Sequence, residues 1–493
     1  MDPQFGKSLI LAALAATLLG SGQTAAQGWA HYGGDAGGRR YSPLAAINRD
    51  NVAGLEMAWS FSTGEATRRG DKSNFHTFQN TPILLPAEAG GSLVVCTPFS
   101  RIIALDPVTG TERWFFDPDV PLDNWMPYNC RGVSVWTNPA LDTGAMCKST
   151  IFMGTNDARV IAIDSRSGNR CTDFGSNGEV AIDVDRDLMI RGEIKITSPP
   201  VVVNGVVVVG SFIRDMLRTD APSGKVRAYD ARSGAPVWSF DPVPRDPADP
   251  AASTWHGDSA QTVGAANVWS VMSVDAERDL VFLPTTSPST DYYGGHRPGE
   301  NRYANSVVAL RGATGEVAWH FQTVHHDVWD YDLPSQPVLI DLPVTGRSTP
   351  ALVQPTKQGF LFVLHRETGE PLFPVEERPV PQQGVEGEWL SPTQPYPVAP
   401  PPLLKQQLLP EDAWGFTWFD RRACRKKIEA LRSEGLYTPI SLQGTVLMPS
   451  SLGGANWGSG AYDPQRNLFV INTSRVPGVV KLIPREEVAN ADT

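Results

Sequence analysis

Cysteine is scarce in this sequence, and the few cysteines present are not grouped as metal ligands usually are. Only 5 of the 493 residues are Cys, and none forms a Cys-x-x-Cys motif or a Cys/His cluster. The sequence therefore gives no support for a zinc–thiolate centre. In an oxidising compartment the spacing allows Cys147 to pair with Cys171 and Cys96 with Cys130, leaving Cys424 over. Five unpaired cysteines are the alternative that the spacing leaves open.

Long apolar segments are almost absent. The first apolar run, residues 8–20 (SLILAALAATLLG), is too short for a comfortable membrane span, and no later run approaches spanning length. It follows Lys7 and precedes small residues at 24–26. We therefore expect residues 1–26 to be the signal peptide of an exported, periplasmic protein. A retained interfacial helix or uncleaved anchor is the alternative.

Positive charge is in deficit. The sequence has 42 Lys and Arg against 53 Asp and Glu, a net charge of −11. This balance argues against recruitment of nucleic acid or of an anionic membrane by overall electrostatics. Glycine and proline are plentiful and spread along the chain, which predicts many short strands joined by turns. Residues 201–211 (VVVNGVVVVGS) illustrate this, because Asn204-Gly205 predicts a hairpin between two buried strands.

A recurring strand–turn–strand unit indicates the fold class. Each copy has an apolar strand, a turn closed by glycine and a second strand that usually bears an aromatic residue. Glycine supplies the positive φ that the turn needs, and we expect the aromatic to pack against the neighbouring unit. The irregular spacing fits propeller blades with insertions, so the sequence predicts an all-β protein, a β-propeller. The copies begin at Ile102, Val160, Val226, Val307 and Leu361.

Two segments stand outside this repeat pattern. Residues 241–252 (DPVPRDPADPAA) are expected to form a surface insertion on one rim of the propeller. The clearest helix-like stretch is residues 421–433, and we interpret it as an ornament on the propeller.

Chemically active side chains concentrate where the fourth copy ends. Residues 325–332 (HHDVWDYD) bring two imidazoles and three carboxylates to the end of a strand, and Lys357 begins the next strand pair. Rigid all-β scaffolds usually present their chemistry at such positions. The sequence therefore predicts a polar site where these loops converge.

Six motifs, together with the Ala-x-Asp-x-x-Thr-Gly-x-x-x-Trp repeats, resemble the quinoprotein dehydrogenases that use pyrroloquinoline quinone (PQQ), in particular the glucose/quinate/shikimate group. The resemblance runs from about Gly28 to near the C-terminus. It implies a propeller of the eight-bladed type over residues 27–493, with about two final blades missing. The motifs are residues 41–44 (YSPL), 130–134 (CRGVS), 197–200 (TSPP), 323–330 (TVHHDVWD), 391–395 (SPTQP) and 453–458 (GGANWG).

The resemblance assigns the catalytic roles. Asp330 corresponds to the family's proposed general base, and the alternative is a turn-stabilising aspartate. Lys357 corresponds to a lysine that contacts the quinone oxygens, where a cation stabilises the reduced cofactor; the alternative is a solvated lysine. Asp327 and Asp332 are expected to be structural or to support the site from behind. His325 and His326 are expected to pack or hydrogen-bond rather than bind metal.

The resemblance also implies a calcium ion, with magnesium possible, that polarises the quinone. Asp215 and Asp330 are the candidate protein ligands, and an ordinary loop acid is the alternative for Asp215. Relatives commonly carry Asn after this Asp, whereas this sequence has Met216, whose thioether is a poor ligand for a hard cation. Metal binding is therefore expected to be weaker or to use a backbone oxygen.

Several residues correspond to cofactor contacts. Trp269 matches the tryptophan on which the flat cofactor stacks, although a blade-packing role is the alternative. Arg131 matches a residue that reaches the cofactor, and a surface ion pair is its alternative. Because Cys130 has no adjacent cysteine, the disulfide ring of methanol-oxidising relatives is expected to be absent. A histidine of some relatives is replaced by Pro127. Further expected contacts are Ser198, Asn456, Trp457 and Asn472.

The resemblance implies a periplasmic dehydrogenase that oxidises an alcohol group of a sugar or cyclic polyol. Electrons would pass to a membrane quinone, either through a separate membrane subunit or by another route to the quinone pool. A non-catalytic propeller scaffold and an incomplete, inactive enzyme are the two alternatives. Asp330, Lys357, Arg131 and Trp269 argue against the scaffold, which needs none of them.

Overall fold

The computed structural model describes residues 28–71, 76–122, 127–344 and 346–488. The expected signal peptide lies outside these residues. Four sheets in the described part have four antiparallel strands each. They comprise β1–β4 (Ile83–Leu84, Leu93–Cys96, Ile102–Leu105, Glu112–Phe116), β5–β8 (Ser134–Thr137, Ser149–Gly154, Arg159–Asp164, Glu179–Ala181), β10, β11, β13 and β14 (Val201–Val203, Val206–Val209, Val226–Asp230, Pro236–Phe240), and β15–β18 (Ser273–Asp275, Leu280–Pro284, Ser306–Arg311, Val317–Gln322).

A fifth sheet has three strands, and the other described strands form pairs. The fifth sheet is β19–β21 (Val338–Val344, Arg347–Pro355, Leu361–His365), and the pairs are β9 with β12 (Ile194–Lys195, Phe212–Ile213), β22 with β23 (Val375–Pro379, Thr393–Pro397), β24 with β27 (Thr445–Leu447, Gly478–Val480) and β25 with β26 (Gly460–Asp463, Leu468–Ile471). The helices are α1–α4 (Glu65–Arg69, Ser259–Thr262, Trp418–Glu429, Arg485–Val488), with 3-10 turns at Val52–Gly54, Ala87–Ala89, Ala252–Thr254 and Pro410–Asp412.

The sheets are arranged side by side around an axis. Strand β5 contacts β10, β10 contacts β15, β15 contacts β19, and β19 contacts β25. Because each is the first strand of its sheet, the first strands line the axis and the later strands extend outward. The predicted β-propeller is confirmed. Apolar side chains between the sheets, such as Phe282, Leu352 and Phe362, are fully buried and form the core.

The indoles of three repeats, Trp114, Trp238 and Trp319, each pack on a glycine turn of the next sheet, as the sequence predicted for the repeat aromatics. A Cβ added at Gly315 would lie 2.6 Å from Cδ2 of Trp238, and one at Gly369 would lie 2.5 Å from Cε3 of Trp319. The indole N–H of Trp238 also donates to the carbonyl oxygen of Gly312 at 2.8 Å. Glycine is therefore required both for its positive φ and for the space that the neighbouring indole occupies.

Two local predictions can be compared directly with the structure. Strands β10 and β11 pair across Asn204-Gly205, which confirms the hairpin. The helix predicted over residues 421–433 is α3, and it begins and ends earlier, at Trp418 and Glu429. It begins there because the side chain of Thr417 caps it, accepting a hydrogen bond from the backbone N–H of Asp420 at 3.2 Å.

Both cysteine pairings that the spacing allows are present. Cys96 pairs with Cys130 and Cys147 with Cys171, with Cα–Cα separations of 6.1 and 5.8 Å, and Cys424 is free. The alternative of five unpaired cysteines is therefore wrong. Cys130 is bonded to a residue far away in the sequence, so a disulfide ring between adjacent cysteines is absent here, as expected. Among the described residues no helix is long and apolar enough to cross a membrane.

Candidate functional site

The candidate residues lie in two kinds of loop at one end of the propeller. Because neighbouring strands are antiparallel, the start of the first strand and the end of the second strand of a sheet lie at the same end. Loops leading into first strands and loops joining second to third strands therefore converge. The first kind contains Arg131 before β5, Ser198 before β10, Trp269 before β15 and Asp330 before β19; the second contains Asp215 between β11 and β13 and Lys357 between β20 and β21.

The ammonium group of Lys357 binds two carboxylates. Its Nζ donates to Oδ1 of Asp330 at 2.9 Å and to the backbone oxygen of the same residue at 2.8 Å. The second carboxylate is that of Asp332, which forms a close ion pair with Nζ. Lys357 and Asp332 are buried, whereas the side chain of Asp330 is 24 % exposed. Of the three, Asp330 is therefore the most accessible to solvent.

Trp269 connects this ion-pair cluster to Arg131. Its indole N–H donates to Oδ2 of Asp332 at 2.6 Å. The guanidinium of Arg131 lies over the Trp269 ring, 4.8 Å from its centroid. The hydroxyl of Ser198 donates to the backbone oxygen of Trp269 at 2.6 Å. Five residues that the sequence predicted separately are thus joined by direct contacts to one another or through Asp332.

Arg131 is a buried cation without an acidic partner on its side chain. It donates to Oγ1 of Thr197 at 2.7 Å, and its Nε is buried with no hydrogen-bond acceptor. Burial lowers the pKa of Arg131 to about 10. The preceding residue, Cys130, is tied to Cys96 by a disulfide, which fixes the backbone from which Arg131 extends. A buried guanidinium with an unused N–H is suited to bind an anion.

Carboxylates crowd the site and raise one another's pKa. Burial, Asp330 and Asp332 raise the pKa of Asp215 to about 7, and burial, Asp215 and Asp332 raise the pKa of Asp291 to about 8. Burial also raises the pKa of Asp330 well above its usual range, against the opposing effect of Lys357. The surface of Asp215 is exposed to solvent, yet many protein atoms lie around its carboxylate. We therefore place this residue at the opening of the site.

Sequence reasoning missed Asp291 and underweighted Asp332. Asp291 lies between β16 and β17, in the same kind of loop that contains Asp215 and Lys357 in neighbouring sheets. An acidic residue at that repeat position was the available signal. Asp332 was expected to support the site from behind, and it does so by binding both Trp269 and Lys357.

The family model for the β-propeller domain of PQQ-dependent glucose/ethanol/alcohol dehydrogenases matches residues 29–493. The chain belongs to this family. The resemblance inferred from the motifs is therefore confirmed, and the converging loops are those of a quinoprotein propeller.

Several dehydrogenases of known sequence are similar to this chain. Quinoprotein glucose dehydrogenase of Escherichia coli (strain K12) is 38% identical over 93% of this chain and 57% of its own length. The glycerol dehydrogenase large subunit of Gluconobacter thailandicus is 39% identical over 93% of this chain and 62% of its own length. Quinate/shikimate dehydrogenase (quinone) of Acinetobacter baylyi is 38% identical over 92% and 57%. The chain thus spans 57–62% of the length of these relatives.

A solved structure supports the same fold. Quinohemoprotein alcohol dehydrogenase from Comamonas testosteroni superimposes with a TM-score of 0.66 at 24% identity, over 92% of this chain and 58% of that chain. At this identity the similarity establishes the propeller architecture.

The site fits PQQ and, in part, a divalent cation. PQQ is planar and anionic, and Trp269 offers a flat ring while Arg131 and Lys357 offer positive charge. The carboxylates that raise the pKa of Asp215 form the acidic environment a cation prefers. Within the described ranges, however, no three His, Cys, Asp or Glu side chains are grouped as metal ligands. Asp215 and Asp330 would therefore need oxygens from elsewhere. Met216 is 63% exposed to solvent.

Three predicted cofactor contacts are not joined to the cluster by side-chain contacts of the described residues. The side chain of Asn456 is used locally, donating to the carbonyl oxygen of Leu452 at 2.7 Å and accepting from the N–H of Trp457 at 2.7 Å. Asn472 is exposed, near Gly458. The segment is nevertheless adjacent to the cluster, because the N–H of Gly454 donates to the backbone oxygen of Lys357 at 2.6 Å. The roles of Asn456, Trp457 and Asn472 remain predictions.

The residues before Asp330 shape the loop that presents it. Asp327 is buried and accepts hydrogen bonds from the backbone N–H groups of Trp329 at 3.0 Å and Tyr331 at 2.8 Å. Nδ1 of His326 donates to the carbonyl oxygen of Gly299 at 2.8 Å. These residues have the structural roles that were expected. Asp330 itself lies between the two bonded N–H groups with a φ of +57°, so this turn determines where its carboxylate points.

Proposed function

We propose that this chain is the cofactor-binding propeller of a PQQ-dependent dehydrogenase that oxidises an alcohol group of a sugar or cyclic polyol. The observation that carries this proposal is the unbroken series of contacts from Asp330 through Lys357, Asp332 and Trp269 to Arg131. Burying a lysine with two carboxylates, and an arginine without an acidic partner, is costly, so a propeller that served only as a scaffold would gain nothing from it. The dehydrogenase names of the similar proteins agree with this assignment.

The reaction requires removal of the proton from the alcohol oxygen and of a hydride from the carbon that carries this oxygen. When bound, PQQ supplies the hydride acceptor. The proton must go to the protein, and we assign this role to Asp330, whose carboxylate is partly exposed. Its raised pKa favours proton acceptance, because a more basic carboxylate is the better general base once it is ionised.

The other residues of the site would hold the cofactor and polarise its quinone. Lys357 would hydrogen-bond the quinone oxygens and oppose the negative charge that develops during reduction. Its pKa is lowered by burial but raised more strongly by Asp330 and Asp332, so it stays protonated. Trp269 would provide the stacking surface and Arg131 the countercharge for a cofactor carboxylate. Ca²⁺, or Mg²⁺ in its place, would be held by Asp215 and Asp330 and would act as a Lewis acid on the quinone.

The electrons would leave to a membrane quinone. One similar protein is named quinate/shikimate dehydrogenase (quinone), which is the basis for this part of the proposal. Export to the periplasm and a separate membrane subunit complete it. The apolar run at residues 8–20 supports export, and the membrane subunit is proposed as the route to the quinone.

Reconstitution of the purified chain with PQQ and CaCl₂ tests the proposal. We expect PQQ to quench tryptophan fluorescence with saturable binding, and dye reduction to follow with one or more of glucose, quinate, shikimate and simple alcohols. Asp330→Asn is expected to reduce kcat by about 10²–10⁴-fold while PQQ still binds. Asp341→Asn, an exposed aspartate on β19, is the matched control. Failure of the wild-type chain to bind PQQ at saturating cofactor and metal would reject the proposal.

A further inference from the structure

Lys195, at the end of β9, is a buried lysine that the mechanism above does not use. Only 2% of the surface of Lys195 is exposed, so its ammonium is almost fully removed from water. Nζ donates to the carbonyl oxygen of Pro127 at 2.9 Å and lies 4.6 Å from the ring centroid of Phe212. Neither partner carries a negative charge. A buried ammonium needs a stronger compensation than one neutral acceptor and one ring face.

Lys195 lies beside the cofactor-facing segment that contains Arg131. The backbone N–H of Arg131 donates to the carbonyl oxygen of Thr197 at 2.9 Å, and its guanidinium donates to the hydroxyl of the same threonine at 2.7 Å. Residues 127–131 and 195–197 therefore run side by side. Lys195 bonds across to Pro127, and Arg131 bonds across to Thr197. These bonds hold the two cationic side chains on the same pair of neighbouring segments.

The two cations repel each other. Burial first, and then the charges of Arg131 and Arg214, lower the pKa of Lys195 to about 7. Among the residues that the structure describes, no acidic side chain affects the pKa of either Lys195 or Arg131. The Nε of Arg131 is also buried without an acceptor. Two positive charges and an unused donor thus lie on the same pair of segments, and Arg131 extends from there over the ring of Trp269. Such a grouping of donors is suited to bind an anion.

We propose that Lys195 and Arg131 together bind a carboxylate group of a bound molecule. This inference rests on the proposed function, and it adds Lys195 as a binding residue. The carboxylate has two sources: one of the acidic groups of PQQ, or the acid group of a hydroxy-acid substrate of the quinate type. Pro127 contributes through its carbonyl oxygen, which orients the ammonium.

PQQ titration of the wild-type chain, Lys195→Gln and Lys195→Arg, followed by tryptophan fluorescence without substrate, tests the cofactor source. If PQQ supplies the carboxylate, Lys195→Gln weakens its binding about ten- to hundredfold, and Lys195→Arg retains part of the affinity. If the substrate supplies it, PQQ affinity stays constant, and the KM of Lys195→Gln rises at least tenfold for quinate and shikimate but not for glucose. Lys426→Gln, on the exposed face of α3, is the control and changes neither quantity.

A change below about threefold in both the PQQ affinity and the acid-to-neutral KM ratio overturns the inference. Misfolding is excluded by thermal unfolding, because removal of an uncompensated buried charge is expected to leave the Tm of the cofactor-free variant unchanged or higher. If the wild-type chain binds no PQQ, the proposed function fails first. Calorimetric titration of the cofactor-free chain with quinate then judges Lys195 separately: binding that Lys195→Gln abolishes supports the site, and no binding to the wild type rejects it.

Discussion

The carboxylate of Asp332 accepts a hydrogen bond from the indole N–H of Trp269 at 2.6 Å while it is paired with the ammonium of Lys357. One buried acid therefore fixes both the flat ring on which a cofactor would stack and the cation that would face its oxygens. The two groups come from the loops before β15 and between β20 and β21. Asp332 couples their positions without being exposed to substrate.

This relationship predicts different effects for two substitutions of Asp332. Asp332→Asn retains an oxygen that can accept from Trp269, whereas Asp332→Leu removes it and leaves a partly buried N–H without this acceptor, at a cost of about 1–3 kcal/mol. We expect PQQ affinity to remain within several-fold in Asp332→Asn and to fall tenfold or more in Asp332→Leu. Fluorescence titration measures both. Equal losses in the two variants would show that the charge, and not the hydrogen bond, positions the ring.

The acidic cluster predicts a pH-dependent stability of the cofactor-free chain. In the folded state the pKa of Asp291 is raised to about 8, whereas an unfolded aspartate has its ordinary value of 3.8. Between pH 4 and 8 the folded state therefore holds a proton that the unfolded state has released, and stability falls as pH rises through this window before levelling off. Urea unfolding at pH 5 to 9 should show a shallower decline for Asp291→Asn. A decline as steep as that of the wild type would contradict the assignment.

Packing between sheets predicts unequal costs for two glycine substitutions. Gly315 and Gly144 both have positive φ, but only a Cβ at Gly315 would collide with a neighbour, Trp238 at 2.6 Å. Gly144→Ala should lower the free energy of unfolding by about 1–2 kcal/mol through backbone strain alone. Gly315→Ala should lower the free energy of unfolding by the same amount and by about 1–3 kcal/mol more, because the added methyl overpacks against Trp238. Chemical denaturation compares the two, and similar losses would argue against the indole–glycine contact.

We expect both disulfides to stabilise the fold, but only one of them to affect cofactor binding. Replacing either pair by alanines should lower the free energy of unfolding by about 2–4 kcal/mol, because each bond closes a loop of the unfolded chain. Only the Cys96→Ala/Cys130→Ala double variant should also weaken PQQ binding, since Cys130 precedes Arg131. The Cys147→Ala/Cys171→Ala variant is the matched control. Equal PQQ affinities in the two double variants would show that the backbone of Arg131 needs no such anchor.

The fold was predictable because short contiguous segments of each repeat determine its strands and turns. Turn geometry determines the place of Gly315, and alternation along a strand determines the face on which Trp319 lies. Both properties can be recognised from neighbouring residues in the sequence. The same holds for the hairpin at Asn204-Gly205. The motifs around Arg131 and Asp330 supplied the family and the main site residues, since these are short contiguous segments.

The remaining features depend on contacts between distant segments. Asp291 and Lys195 lie in unremarkable stretches of sequence, and they matter because neighbouring sheets bring Asp215 and Arg131 close to them. The start of α3 at Trp418 depended on a cap by Thr417 that hydrophobic spacing does not reveal.

The sequence by itself determined that this protein is a β-propeller with acids, a lysine and an indole at matching strand ends, because strand, turn and alternation are local properties of the chain. Only the tertiary structure decided which of these groups touch, which carboxylates share charge and which cations lack a partner. Those outcomes depend on distances across sheets and on exclusion of water, and no short segment of sequence contains either quantity.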